Sequence, residues 1–211
     1  MARTYDNSTR IESAGRTRTS IVATARDLLL AGGYPGMTVA SLAAAAGVSP
    51  QTVYNSVGNK AAVVKAVYDQ MMASDDAEVA MSDRPEFQAL FTAADRPAFA
   101  HAYAAWVRLL SERAGPLLGA LVAHGTDATL VEFAATIDQE RYVGTTHAIT
   151  GLRDHIGLAE QHAGKRGMTR LIDAVWTLNS PDCFDRLVRR RGWSSADYEA
   201  WLAGQLVTLL D

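Results

Sequence analysis

Residues 36–60 read GMTVASLAAAAGVSPQTVYNSVGNK, and this stretch decides the fold. All of it except Lys60 lies within residues 28–59, a 32-residue interval without Asp, Glu, Lys or Arg in a chain that is 20% charged. A membrane span needs about 18 to 20 consecutive apolar residues. Glycines, prolines and many Ser, Thr, Gln and Asn residues interrupt the interval, so a bilayer would face unpaired polar groups. The interval is therefore not a membrane span.

An amphipathic helix precedes this stretch. Its apolar residues recur at helical spacing and form one face: Ile21, Ala25, Leu28 and Leu29. Gly32-Gly33 ends this helix, and Tyr34-Pro35-Gly36 forms a turn after it. Residues 36–60 therefore start a new helical segment after this turn.

Capping residues divide the stretch into two short helices. Thr38 is placed to cap the start of the first, and Gly47 ends it because glycine readily adopts the left-handed backbone of a tight turn. Ser49-Pro50 then supplies an N-cap and a proline at the first helical position of the next. The residues predicted to pack between these helices are Leu42, Ala43, Val48, Val53 and Val57. Such short helices separated by a tight turn constitute a helix-turn-helix.

The second of these helices leaves polar, uncharged side chains on its outer face. Amides and hydroxyls suit hydrogen bonding to base edges and phosphates in a DNA major groove. The helix starts near Thr38 and Asn59-Lys60 present main-chain N–H groups to phosphate, and Lys60 adds a full charge. The predicted DNA-binding residues are Thr38, Ser49, Gln51, Thr52, Tyr54, Asn55 and Lys60.

Residues 17–68 resemble the TetR family of transcriptional regulators. The resemblance rests on ordered motifs: Gly36-Met37-Thr38-Val39, Leu42-Ala43, Ala46-Gly47-Val48-Ser49, Thr52-Val53-Tyr54 and Asn59-Lys60. Val57 departs from the family pattern, in which most members have Phe, but it keeps the apolar role. The resemblance implies an all-helical homodimer with an N-terminal DNA-binding domain and a C-terminal ligand-binding domain. It also implies dimerisation through the last two long helices, here about 165–179 and 195–210.

The rest of the chain also has a helical pattern. We predict a flexible polar arm at 1–15, the DNA-binding domain at 16–58, a linking helix at 59–81 and a ligand-binding and dimerisation domain at 82–211. Within the last segment, Gly115-Pro116 is predicted to end one helix, and residues 117–124 to form a short one. Longer helices are predicted at about 128–155, at 169–178 and from residue 194 or 195, with a turn at 183–191.

The charge of the chain is uneven. A net charge of −3 and a pI near 5.9 argue against a generally basic nucleic-acid binder. Residues 1–70, however, hold seven Lys and Arg against four Asp and Glu, whereas the remainder holds 13 against 19. The net charge of the whole chain therefore conceals a basic N-terminal part, residues 1–70.

The C-terminal half is rich in bulky apolar residues, including all four Trp. Such residues form a core, a dimer interface or a ligand cavity. The candidates for binding a small, largely apolar effector are Tyr103, Trp106, Phe133, Ile137 and His147. Each of them is alternatively an ordinary core residue.

No residue pattern indicates catalysis or a metal site. The single Cys183 excludes an intrachain disulfide and a multi-cysteine zinc site. His147, His155 and His162 are spaced eight and seven apart, but glycines interrupt any single helix through them, which favours ordinary imidazoles over ligands. We expect no cofactor and no enzymatic activity. The polar N-terminus lacks the apolar stretch of a signal peptide, which predicts a cytoplasmic protein without membrane contact.

These observations favour a ligand-responsive transcriptional regulator. The predicted form is a repressor that binds a palindromic operator as a homodimer and that a small-molecule effector releases. The alternatives are a helical ligand-binding module and a small enzyme, both without DNA binding. The polar outer face and Lys60 argue against the first, and the lack of an acid–base or metal constellation argues against the second.

Overall fold

Helices make up the fold. The computed structural model describes residues 7–73, 79–122 and 128–211. These ranges contain α1 (Asn7–Gly36), α2 (Val39–Ala45), α3 (Pro50–Ser56), α4 (Lys60–Ala73), α5 (Pro85–Gln88), α6 (Arg96–Val122), α7 (Ala128–His155), α8 (Gly164–Leu178), α9 (Pro181–Phe184) and α10 (Ser195–Leu210). Short 3₁₀ turns occupy Met81–Asp83, Ala89–Thr92 and Glu160–His162, and a π-helical turn occupies Asp185–Arg190. The same ranges contain no strand, and the predicted all-α fold is confirmed.

The chain forms two compact units. The first comprises Met1–Asp76 and Pro116–Phe133, and the second comprises Ala77–Gly115 and Ala134–Asp211. Helices α6 and α7 therefore contribute residues to both units. The described residues 116–122 and 128–133, which the sequence assigns to the C-terminal domain, are grouped with the N-terminal helices.

The first unit is built on the predicted apolar face of α1. Ile21, Ala25 and Leu29 on this face have no exposed surface. Helices α2, α3 and α4 all contact α1 and bury apolar side chains of their own, including Leu42 and Val53. Burial of these side chains is the main favourable contribution to the stability of a small helical unit.

Three boundaries in the first unit bear on the predictions. Helix α1 already begins at Asn7, so residues 7–15 are helical rather than aperiodic; residues 1–6 lie outside the described part of the chain. At Gly33 the backbone leaves the helical region, with φ 65°, where the sequence predicts the end of the first helix. The linking helix does not reach Met81 as predicted, because Ala80 is already extended and Met81 starts a separate turn. Residues 74–78 are not described.

The prediction that Gly115-Pro116 ends a helix is wrong, because α6 runs through both residues. The helix continues through Pro116 to Val122, so the short helix predicted at 117–124 is the end of α6; residues 123 and 124 are outside the described ranges. Proline removes one main-chain N–H from a helix, and the helix tolerates this loss when burial on both sides compensates for it. Ala114, Leu117 and Leu121 lie on one helical face and are all buried.

The second unit has an aromatic and aliphatic core. Its most deeply buried side chains come from four helices: Phe99 of α6, Leu152 of α7, Leu171 of α8 and Tyr198 of α10. The ring of Phe91 packs directly against Gly151 of α7. A Cβ atom at Gly151 would lie 2.6 Å from the Phe91 Cζ atom, which is too close for any side chain there. Close packing is thus the reason for this mid-helix glycine.

Two C-terminal segments differ from the prediction, and the last helix agrees with it. Helix α8 starts at Gly164 rather than Thr169, and the predicted turn at 183–191 is mostly helical. Ser180 caps this segment by accepting a hydrogen bond from the N–H of Asp182, and Pro181 follows at the first helical position. Ser194 caps α10 through a capping box with Asp197, as its position predicts.

Candidate nucleic-acid interface

Side-chain caps fix the start of each helix in the helix-turn-helix. Thr38 Oγ1 accepts a hydrogen bond of 3.0 Å from the N–H of Ser41, and Ser41 Oγ accepts one of 2.9 Å from the N–H of Thr38. Ser49 Oγ caps α3 by accepting from the N–H of Thr52 at 3.0 Å. Gly47 between the helices has φ 67°, the left-handed conformation predicted for it. The turn geometry thus follows from local sequence.

The outer face of α3 presents hydrogen-bonded pairs of polar side chains. Gln51 Nε2 donates to Asn55 Oδ1 at 2.9 Å, one helical turn away, and both side chains are exposed. Ser49 Oγ and Thr52 Oγ1 lie 2.8 Å apart. Tyr54 is 51% exposed, which is unusual for a large aromatic side chain. This face of α3 therefore offers hydrogen-bond donors and acceptors whose uncharged groups lose little free energy when DNA displaces their water.

The start of α4 carries a cation whose position is restrained. Asn59 Oδ1 caps the helix by accepting from the N–H of Ala62 at 2.9 Å. The ammonium group of Lys60 lies 3.6 Å from the centroid of the Tyr34 ring, within the range of a cation–π interaction. Because Tyr34 is only 5% exposed, the ring restrains the position of the Lys60 charge.

Helix α1 holds the opposite end of α3. Arg18 Nη1 donates a hydrogen bond of 2.7 Å to the main-chain carbonyl of Ser56, the last residue of α3. A cation at a helix C-terminus also interacts favourably with the helix dipole. The same contact places a guanidinium beside the polar face.

The local electrostatics favour an anionic partner. Asp27 pairs with Arg26 at 3.0 Å, and Asp69 pairs with Lys65 at 2.5 Å. Between these two acids, residues 28–68 contain no Asp or Glu. Phosphate groups approaching α2 and α3 would therefore meet no carboxylate of that segment.

Comparison with known families decides the identity of this domain. The family model described as "Bacterial regulatory proteins, tetR family" matches residues 21–67, which span α1 from Ile21 through most of α4. Residues 21–67 therefore form a domain of the TetR-family type. No curated protein matches the chain.

The structure brings the predicted DNA-binding residues to three elements of this domain. Thr38 lies at the start of α2, five of the residues lie on or before α3, and Lys60 begins α4. Two further residues of this region, Arg18 and Tyr34, were not among the predicted ones. Arg18 and Ser56 are 38 positions apart in the sequence, and no local sequence pattern predicts a hydrogen bond between them.

The predicted effector-binding residues do not form one group. Tyr103 and Trp106 are buried in the core of the second unit, and burial raises the pKa of the Tyr103 phenol, which keeps it a neutral hydrogen-bonding group. Ile137 is also buried in that unit. Phe133 belongs to the first unit, where its ring packs edge-on against Tyr68 at 5.7 Å.

His147, the fifth pocket candidate, lies on the exposed side of α7. It is exposed on α7, whereas Thr145, Ala148 and Leu152 are buried on the same helix. At 3.6 residues per turn, position 147 lies about 150° around the helix from that buried face. His147 thus lies away from the buried face of α7.

The other two histidines have different contacts. His155 stacks on Phe91 with 5.5 Å between ring centroids, and His162 Nε2 lies 2.8 Å from the carbonyl oxygen of Leu209. In the part of the chain that the structure describes, no group of three or more His, Cys, Asp or Glu residues is arranged to hold a metal ion. Across the same ranges, no helix is long and apolar enough to cross a membrane.

Proposed function

We propose that this TetR-family regulator binds a palindromic operator as a homodimer and acts as a repressor that a small, largely apolar effector releases. The observation that supports DNA reading is the exposed, uncharged face of α3, with the Gln51–Asn55 pair on it and the Arg18 guanidinium at the C-terminal end of the helix. In this proposal, residues 16–58 form the DNA-binding domain, 59–81 the link and 82–211 the effector and dimer domain. Its site of action is the cytoplasm, where the DNA lies.

The Gln51–Asn55 pair suits adenine. Whichever amide donates the bond within the pair, one carbonyl oxygen and one NH₂ group remain available to DNA. Adenine presents the complementary N7 acceptor and N6 donor in the major groove, and Asn and Gln are its usual partners there. We therefore expect at least one A·T pair in each half-site to be read by this pair.

Other predicted residues serve the phosphate backbone. Lys60 and Arg18 supply charge, and Tyr54 offers a hydroxyl at the end of an exposed ring. Thr38 and Ser49, whose hydroxyls cap α2 and α3, stay exposed and can bind phosphate oxygens as well. Phosphate contacts fix the register of a protein on DNA, whereas base contacts carry the specificity.

Helices α8 and α10 are the proposed dimer interface. Small residues recur at every fourth position on the exposed face of α10: Ala196, Ala200, Gly204 and Thr208. This spacing keeps them on one face, where two copies of the helix can approach closely about a twofold axis. Ala200→Arg is expected to yield monomers in analytical ultracentrifugation, whereas the control Glu160→Arg leaves the dimer intact.

Effector release requires two states of the dimer. Recognition helices must lie roughly 34 to 36 Å apart to enter successive major grooves. An effector that prefers the state with the wrong separation shifts the population by its differential affinity, typically about 1 to 3 kcal/mol. Helix α4, whose first residue is Lys60, is the proposed element of transmission.

Binding selection on randomised duplex DNA tests the proposal. We expect an enriched inverted repeat whose half-site centres lie one helical turn, or a multiple of it, apart. Recovery of a single unrepeated site would contradict the homodimer, and recovery of no sequence preference would contradict operator binding.

A further inference from the structure

Tyr34 and Lys60 form a contact between the last turn of α1 and the start of α4. The Lys60 ammonium group lies 3.6 Å from the centroid of the Tyr34 ring, and Tyr34 is 5% exposed. A second pair in the same unit is looser, because the Lys65 ammonium group lies 5.9 Å from the centroid of the Tyr68 ring. A cation–π interaction needs the cation within about 6 Å of the centroid and is stronger at short distance. The Tyr34–Lys60 contact is therefore the stronger of the two.

The backbone at Gly33 places the Tyr34 ring. Gly33 breaks the helical conformation of α1, with φ 65° and ψ −176°. Glycine adopts this conformation readily, whereas other residues adopt it only at a cost in free energy. The chain bends here, and Tyr34 is buried while Pro35 and Gly36 after it are exposed. Tyr34 is thus held by the packing of the first unit, and Lys60 is the side chain that the contact restrains.

Lys60 occupies a position at which a cation does not stabilise the helix. It is the first residue of α4, directly after the capping residue Asn59. The first turn of a helix carries a partial positive charge, so a lysine there is electrostatically unfavourable. The negative face of the Tyr34 ring offsets part of this repulsion. The helix start and the ammonium group together attract an anion, as the proposed phosphate contact of Lys60 requires.

A restrained ammonium group binds an anion more tightly than a free one. A lysine side chain has large rotamer freedom and loses it when its ammonium group is fixed. When the ring of Tyr34 already holds the partly buried Lys60, much of that loss occurs before DNA binds. An ammonium group has three hydrogens. Because the ring covers only one side of the group, hydrogens on the other side can bind phosphate oxygens.

We propose that Tyr34 is a positioning residue for DNA binding, whose ring holds the Lys60 ammonium group where a phosphate of the DNA backbone meets it. This inference rests on the proposed contact between Lys60 and phosphate, and it adds a residue that does not itself touch DNA. Phosphate contacts carry no direct sequence information. The effect of Tyr34 should therefore be the same on the selected operator and on an unrelated duplex.

A double-mutant cycle in the full-length protein tests this role. Tyr34→Leu removes the ring and keeps an apolar side chain, and Lys60→Ala removes the ammonium group. In fluorescence anisotropy on a fixed duplex, Tyr34→Leu should weaken binding about two- to fivefold per protomer, the effect of one exposed cation–π interaction. In the Lys60→Ala background the same replacement should have no further effect, because the ring has no ammonium group to hold. Equal losses in both backgrounds would reveal a merely structural role and overturn the proposal.

Two further variants separate the ring face from the fold. Tyr34→Phe keeps the aromatic face and should bind DNA within about twofold of wild type. Tyr68→Leu is the matched control, because Tyr68 is also 5% exposed in the first unit but packs against Phe133. It should lower the melting temperature and leave the affinity measured below that temperature unchanged. A loss for Tyr34→Phe or Tyr68→Leu as large as that for Tyr34→Leu would contradict the role of the ring face.

NMR of the free protein tests the contact without DNA. An aromatic ring shifts the signals of protons above its face upfield. The ε-CH₂ protons of Lys60 should therefore resonate upfield of those of the exposed Lys165. Tyr34→Leu should remove this difference, and Tyr34→Phe should keep it. An unshifted Lys60 signal in the wild type would overturn the proposal.

The outcomes distinguish this inference from the proposed function. Selective DNA binding, combined with a Tyr34→Leu loss that does not depend on Lys60, would remove the positioning role and leave the operator proposal. An upfield Lys60 signal without binding to any duplex would overturn the operator proposal and the phosphate contact together.

Discussion

The guanidinium of Arg18 on α1 donates a hydrogen bond to the carbonyl oxygen of Ser56, the residue that ends α3. The contact ties the exposed recognition face to the helix on which the first unit is built. Arg18 therefore has two roles in our account, because it positions α3 and also adds positive charge beside it.

Replacement of Arg18 separates these roles. Arg18→Ala should weaken DNA binding by about tenfold, the expected loss for a hydrogen bond that involves a charged group. Arg18→Lys keeps the charge and should lose less. Arg16→Ala, which removes a charge from an exposed position of the same helix, is the control. Fluorescence anisotropy on a fixed duplex measures all three, and equal losses for Arg16→Ala and Arg18→Ala would show that charge alone matters.

Base-reading and phosphate-binding residues should give different patterns of loss. Gln51→Ala or Asn55→Ala should relax selectivity at particular base pairs by about 1 to 3 kcal/mol, because each removes part of a base contact. Lys60→Ala should weaken binding to all sequences and reduce the slope of log affinity against log salt by about 1. Competition between duplexes at several salt concentrations measures both effects. The same uniform loss in all three variants would contradict the division.

Two glycines in the DNA-binding domain should differ in their tolerance of a side chain. Gly47 has φ 67°, and a Cβ added there would meet open space, so Gly47→Ala should cost about 1 kcal/mol from backbone strain alone. Gly58 has φ 125°, and its Cβ would lie 2.8 Å from that of Ala62, so Gly58→Ala should cost more. Chemical denaturation of both variants measures their free energies of unfolding and should show the larger loss for Gly58→Ala. Gly47→Asn should be the mildest replacement, because Asn tolerates left-handed backbone.

The two glycines within α7 provide a matched test of packing. Gly151→Ala should destabilise by about 1 to 3 kcal/mol, because the new methyl group meets the ring of Phe91. Gly144→Ala meets nothing within 4 Å and should be neutral or should stabilise by up to about 1 kcal/mol through helix propensity.

A double-mutant cycle attributes the Gly151 effect to its cause. Adding Phe91→Leu should reduce the cost of Gly151→Ala, because the smaller side chain leaves room for the methyl group. Additive costs in thermal unfolding would show that the Phe91 contact is not the reason for the glycine.

Local signals explain which parts of this structure could be predicted from sequence. Thr38, Gly47 and Ser49 act through neighbours within about a turn, so the helix-turn-helix and its caps follow from residue types and spacing. The same holds for the cap of α10 at Ser194. Glycines at 144 and 151 look alike in sequence, and only the ring of Phe91 distinguishes them.

Long-range contacts explain what could not be predicted. Asn179 and Tyr103 are 76 positions apart, and the sequence predicted only that a helix ends at residue 178. Pro116 failed as a helix stop because burial on both sides of it outweighs one lost hydrogen bond. The exposure of His147 could not be predicted either, because it depends on which face of α7 the core covers.

The central claim is that the Gln51–Asn55 pair of α3 reads an adenine edge in the major groove. The most direct measurement replaces each half-site adenine of the selected operator in turn by 7-deazaadenine, which lacks the N7 acceptor, and compares wild type with Asn55→Ala. We predict that one position weakens wild-type binding by about 1 to 3 kcal/mol and has little effect on the variant. Equal losses for both proteins at every position would contradict the account.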